Sequence, residues 1–280
     1  METKQLNGKA IYSPKGKAGE YAKYACNFYV GCSNDCDYCY CKRGVLGHAM
    51  GKPQATLKKC FKDEEHALQV FEKELRANLT ELREHGLFFT FTSDPMIKEC
   101  YQLTYEAVTM AAHYGVCCKI LTKRADFRMA EEWYYEWYKN RIAFGFTLTG
   151  HDELERGAST NAERIRCMRN LHNAGFRTFA SIEPIIDLQS SYAMIEQTLG
   201  FCDLYKIGLM SGKRNYTPFD VQGFCHDVNM IVLQHRYKSG DDTKIYWKES
   251  VLDYIKISRE DCLKHADDFI VSADYNMFNN

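Results

Sequence analysis

The chain has 280 residues, 45% of them hydrophobic, enough to bury a core as one large α/β domain or two small ones. Its 36 basic residues against 37 acids leave a net charge of −1, so nothing global attracts it to a polyanion such as DNA, although a local basic patch is compatible with that balance. Apolar runs are strand-sized and the first ten residues are polar, which predicts a cytoplasmic protein without membrane span or signal core. In such a chain 13 cysteines point to reduced thiols that serve a metal rather than to a disulfide framework.

In chain order, strand-type runs fall at 24–30, 87–92, 116–121, 142–148, 177–182 and 204–209. Amphipathic helices are expected at 65–84, 98–114, 127–139, 161–174, 189–199 and 219–237. Gly86, Gly115, Gly175 and Gly200 mark helix ends. Strand-helix alternation implies parallel strands with right-handed crossovers, in an open doubly wound sheet or a complete or partial barrel. The simplest organisation is one domain, with an N-terminal segment at 1–23, a core at 24–240 and a C-terminal extension at 241–280 packing on the core. Residues 245–249 read as a short further strand ending in charge. The aromatic run 133–138 reads as a helix packed on the core rather than as a base-stacking platform.

Each strand is followed by a polar cluster: residues 31–41, Thr92-Ser93-Asp94-Pro95, Thr122-Lys123-Arg124, Thr149-Gly150-His151-Asp152, Glu183-Pro184 and Ser211-Gly212-Lys213-Arg214. In parallel α/β folds the loops at the carboxyl ends of strands carry the site, so these clusters are expected to share a face. The richest contains Cys32, Cys36 and Cys39 in the spacing C-x-x-x-C-x-x-C. Such spacing lets one loop wrap a metal centre, whereas an extended strand would send neighbouring thiols to opposite faces. Three thiolates suit an iron–sulfur cube with one iron left open; a cube closed by protein takes a fourth cysteine. Two alternatives share these residues. Cys26 or Cys41 completes a tetrahedral zinc site in a zinc-stapled α/β binding module, or Cys36 and Cys39 form a redox disulfide.

With Tyr38 before the third cysteine, the pattern resembles the signature of the radical SAM superfamily. Asn27-Phe28-Tyr29-Val30-Gly31-Cys32, Phe91-Thr92-Ser93-Asp94-Pro95 and Ile120-Leu121-Thr122-Lys123 make it similar to the spore photoproduct lyase-related branch. The resemblance implies a partial (β/α)6 TIM-like barrel and an enzyme with a [4Fe–4S] cluster on Cys32, Cys36 and Cys39. S-adenosylmethionine (SAM) chelates the open iron, and an electron donor such as flavodoxin or ferredoxin supplies one electron for its cleavage. It also implies Ser93 and Asp94 at the methionine end of SAM, Lys123 on its carboxylate, Thr147 near the ribose or carboxylate, and Tyr38 beside the adenine. Glu183 is a further candidate for cofactor or substrate. The implied substrate is a nucleic-acid base or nucleotide, with a peptide or small metabolite as the alternative. Spore photoproduct lyase proper carries a hydrogen-donating cysteine directly before its Ser-Asp motif; Phe91 stands there in this chain, which speaks against a lesion-reversing lyase. Residues 212–216 form the best local basic patch for an anionic partner.

Overall fold

The computed structural model describes residues 4–43, 47–212, 214–264 and 268–279. They group into two compact units, Met1–Phe144 with Glu153–Ser159, and Gly145–Asp152 with Thr160–Asn280.

In the first unit, β1 (Ile11–Tyr12) runs antiparallel to β2 (Ala25–Cys26). The expected strand 24–30 is split: β3 (Tyr29–Val30) leaves to pair with β4 (Thr56–Leu57), with the short α1 (Gly47–Met50) between them. Asn27 makes the break, because its amide donates to Tyr12 Oη at 2.6 Å and accepts from Phe91 N at 2.8 Å, pinning the chain away from the ladder. The expected helix 65–84 is also two, α2 (Glu64–Ala77) and α3 (Leu79–His85). Asp63 caps α2 through His66 N, and Ala67, Phe71 and Leu75 bury one stripe at four-residue spacing. Asn78 ends it, donating its side-chain amide to Glu74 O at 2.8 Å in competition with the backbone ladder. Then follow β5 (Leu87–Phe89), α4 (Lys98–His113) and β6 (Cys118–Thr122); β2, β5 and β6 are parallel neighbours.

The helix expected at 127–139 is instead a 3-10 turn at Glu131–Tyr134 and a single turn, α5 (Glu136–Lys139), interrupted where Tyr135 is extended. Trp133 and Tyr138 are buried, tied to α4 by Trp133 Nε1→Thr109 at 2.9 Å and by Tyr138 Oη 3.0 Å from His113 Nε2. Tyr134, Tyr135 and Trp137 are exposed, and the Trp137 ring is covered by the Arg141 guanidinium, 3.7 Å from its centroid. β7 (Ile142–Thr147) begins in this unit and ends in the next.

The second unit continues with α6 (Asn161–Asn173), β8 (Arg177–Ile185), α7 (Leu188–Glu196), β9 (Leu204–Leu209), α8 (Pro218–Ser239), β10 (Lys244–Trp247), α9 (Glu249–Ile255) and α10 (Arg259–Lys264). β10 pairs parallel with β9. Gly86, Gly115 and Gly175 take positive φ, whereas Gly200 does not and sits inside a 3-10 turn, Leu199–Phe201. There Thr198 Oγ1 caps α7 by donating to Met194 O. The full strand order is β1-β2-β5-β6-β7-β8-β9-β10, and the sheet is mostly parallel and not closed. No helix among the described residues is long and apolar enough to cross a membrane.

Alternation fixes what each strand face carries. Tyr205 donates to Ile195 O on α7, and Trp247 to Asn229 on α8 at 3.2 Å, so these residues face the helices. Their neighbours in sequence face the other side: Ser181, Lys206 and Tyr246 align in one row, and Gly208 lies between Glu183 and Lys248 in the next.

Candidate functional site

Two backbone features shape the cysteine loop that follows β3. Gly31 has φ +86, and a Cβ there would stand 2.3 Å from Gln54 O, so glycine is needed for the turn. Asp35 adopts φ 48, a left-handed conformation that aspartate tolerates better than most side chains. Cys36 is buried; Cys32 and Cys39 are partly exposed. Behind the loop lies a segment far away in sequence. Cys36 bridges Glu155 as an antiparallel pair, Asp37 N donates to Leu154 O at 2.9 Å, and Gly157 N donates to Asn34 O at 3.0 Å. A Cβ on Gly157 would sit 2.0 Å from Ser33 O, so the two backbones touch because this residue has no side chain.

Asp94 ties the loop to the strand ends. Its buried carboxylate accepts from Asn34 Nδ2 at 2.7 Å, Lys123 N at 2.7 Å, Thr122 Oγ1 at 2.6 Å and Met96 N at 2.9 Å. These four donors take up the acceptor positions of both oxygens, so the carboxylate organises three loops at once. Ser93 Oγ lies 3.4 Å from Cys100 Sγ. The Lys123 ammonium stands 5.5 Å from the Tyr38 ring centroid and 4.0 Å from Glu155 Oε1, and Tyr38 Oη donates to that same carboxylate. The structure thus places Cys32, Cys36, Cys39, Tyr38, Ser93, Asp94 and Lys123 in the first unit, with Asp94 bonded to the cysteine loop through Asn34 and to Lys123 N.

The thiols are not equivalent. Burial, and then the charge of Asp94, push Cys32 up to about 12, whereas a hydrogen bond from Cys41 pulls Cys39 down to about 6. Cys41 also contacts Phe91 O at 3.7 Å. Among the described residues no group of three His, Cys, Asp or Glu side chains gathers closely enough to hold a single metal ion. A cube-shaped cluster makes a different demand, since each cysteine meets its own iron and the thiols stand around a body instead of converging on a point. The donor set fits such a cluster: three thiols on one loop, two of them reachable from outside. Asn34 Oδ1 is buried without a donor among the described residues, an acceptor left over beside the cysteines while its amide nitrogen is held by Asp94.

Thr147 and Glu183 belong to the second unit. Thr147 is buried at the end of β7, its carbonyl accepting from Arg164 Nη1 at 2.5 Å. Glu183 Oε2 accepts from the fully buried Lys248 at 2.7 Å, and a Cβ on Gly208 would press within 3 Å of both side chains. Of the basic patch at 212–216, Lys213 lies outside the described residues, and Arg214 folds back onto Met210 O and the Tyr254 ring. Among the histidines, His113 meets Tyr138, His151 meets Asp187, and His172 Nδ1 is buried without a partner among the described residues. Sequence reasoning missed Glu155, Asn34 and Lys248. Lys248 was visible as the charged end of the 245–249 run; Glu155 carried no signal, because the phenol that it accepts from, Tyr38, lies 117 residues away.

No family model matches this sequence, and no curated protein does. The fold is that of radical SAM enzymes. A spore photoproduct lyase complexed with dinucleoside spore photoproduct superposes with a TM-score of 0.59 at 13% identity, over 84% of this chain and 80% of that one. A mutant of the lyase with bound AdoMet and the dinucleoside photoproduct gives a TM-score of 0.53 at 15% identity over 78% of this chain. SuiB from Streptococcus suis bound to S-adenosylmethionine gives 0.53 at 11% identity over 79%. The chain spans 62% of the length of that lyase mutant and 48% of SuiB. At such identities the likeness is one of fold.

Proposed function

We propose that the protein is a radical SAM enzyme with a [4Fe–4S] cluster on Cys32, Cys36 and Cys39. The observation that carries this reading is the three-cysteine loop of a radical SAM-type fold, joined to Lys123 through one buried carboxylate, Asp94. When bound, cluster and SAM supply a one-electron cleavage of the sulfonium to methionine and a 5′-deoxyadenosyl radical, which abstracts a hydrogen atom from substrate. The chain's part is to hold and orient. Three thiolates ligate, the Lys123 ammonium offers a cation to the methionine carboxylate, and Tyr38 presents a fixed ring edge. Ser93, Thr147 and Glu183 are the remaining candidates for polar contacts to the cofactor. The electron comes from a small donor such as a flavodoxin or ferredoxin, and cytoplasmic conditions suit a chain in which none of the 13 cysteines is in a disulfide.

For the substrate we favour a nucleic-acid base or nucleotide over a peptide or small metabolite, on the likeness to a lyase whose structure holds a dinucleoside. Phe91 argues that the hydrogen-return step of that lyase is absent or is served by another residue.

The test is anaerobic reconstitution, with iron and sulfide analysis and a search for 5′-deoxyadenosine after SAM and dithionite are added. Iron and sulfide at roughly four each per chain, with deoxyadenosine formed, support the reading. One zinc, no iron and no deoxyadenosine overturn it in favour of a zinc-stapled binding module.

A further inference from the structure

Glu155 is 2% exposed, and its side chain is closed off from solvent entirely. A carboxylate so placed is costly unless donors and cations surround it. Here a phenol and an ammonium approach it, that of Tyr38 from within the cysteine loop and that of Lys123 from the loop after β6. Its backbone is fixed as firmly as its side chain. The residue pairs with Cys36, its neighbour Leu154 accepts from Asp37 N, Ser159 N donates to Lys123 O at 3.1 Å, and Ala125 N donates to Ser159 Oγ at 2.9 Å. The segment Glu153–Ser159 is therefore clamped to the cysteine loop on one side and to the Lys123 loop on the other, with Glu155 turned between them.

We propose that Glu155 is a positioning residue of the SAM site. It sets the directions of the Tyr38 ring and the Lys123 ammonium from behind, so that both are in place before the cofactor arrives. This rests on the radical SAM reading of the cysteine loop. Glutamate suits the task for two reasons: its carboxylate accepts from the phenol, fixing the ring, and its charge restrains a lysine otherwise able to swing into solvent. Pre-set groups bind more tightly because less ordering remains to be done on binding.

Two variants separate these roles. Glu155→Leu keeps the volume but removes acceptor and charge, while Glu155→Gln keeps an acceptor for Tyr38. In reconstituted protein the Leu variant is expected to hold iron at the parent level and show the parent's electron paramagnetic resonance signal without SAM. It should bind SAM at least about tenfold more weakly, the scale of one lost hydrogen bond to a charged group. The Gln variant should recover most of that loss. In cluster-free protein, the 13C resonance of labelled Tyr38, assigned through Tyr38→Phe, should move in the Leu variant and stay near the parent position in the Gln variant. An unmoved resonance overturns the proposal, as does SAM affinity within about twofold of the parent, or iron lost in step with SAM. If the parent itself takes up no iron, the enzyme reading fails while the Tyr38 resonance still decides the role of Glu155.

Discussion

Asp94 shows how much a single side chain carries here. Two backbone amides, an amide side chain and a hydroxyl all donate to it, and substitution by Asn would aim an NH2 group at donors that have nowhere else to turn. Asp94→Asn is expected to cost about 2–3 kcal/mol of stability, read as a lower urea midpoint, and to reduce iron uptake. The thiols make a second residue-scale prediction. On the proposed function, alanine at Cys32, Cys36 or Cys39 should abolish cluster loading, whereas Cys41→Ala and Cys26→Ala should leave iron near the parent value, because those two thiols lie outside the C-x-x-x-C-x-x-C spacing. Lys119 gives a third. It pairs in register with Phe88 on β5, and burial pushes it down to about 8. The folded state thus resists a proton that the unfolded chain takes up near pH 10.4, so stability falls as pH drops from there to 8 and is level below. Lys119→Met should stabilise by roughly 1–3 kcal/mol at pH 7, with the gap to the parent closing between pH 8 and 10.5 in urea titrations.

At the scale of elements, caps decide where helices start. α6 opens with a reciprocal box in which Thr160 Oγ1 accepts from Glu163 N at 3.2 Å and the Glu163 carboxylate accepts from Thr160 N at 2.8 Å. Thr160→Ala should cost about 1 kcal/mol and lower the melting temperature by a few degrees. Such long, regular pieces were legible from periodicity: α4, α6, α8 and β9 lie within two residues of expectation. Failures came where a polar side chain competes with the backbone or bulk interrupts a helix. Asn27 split a strand and Asn78 a helix, because an amide can bond to the main chain in ways no hydrophobic pattern displays. Bulky aromatic neighbours at 133–138 left only short turns, since most of them have no helical stripe to fill. The site divides likewise. The cysteines, Ser93, Asp94 and Lys123 stood out as candidates because motif spacing is local, while Glu155 was hidden because its contacts to Tyr38 and Lys123 are made only by folding.

For the molecule as a whole, the cofactor should act as a stabilising ligand. SAM at a hundred times its dissociation constant should add about 2.7 kcal/mol to cluster-loaded protein and nothing to cluster-free protein, a difference visible in anaerobic thermal melts. The alternation of strands and helices announced a parallel α/β architecture, but the order of strands came from the structure, as did the small β3–β4 hairpin from which the cysteine loop departs. That loop has its back wall 117 residues downstream, where Glu155 meets Tyr38. A nascent chain leaving the ribosome therefore displays its cysteines long before the wall that shapes them has been made. On the proposed function, cluster delivery then follows the synthesis of residues 153–159, past the middle of the chain.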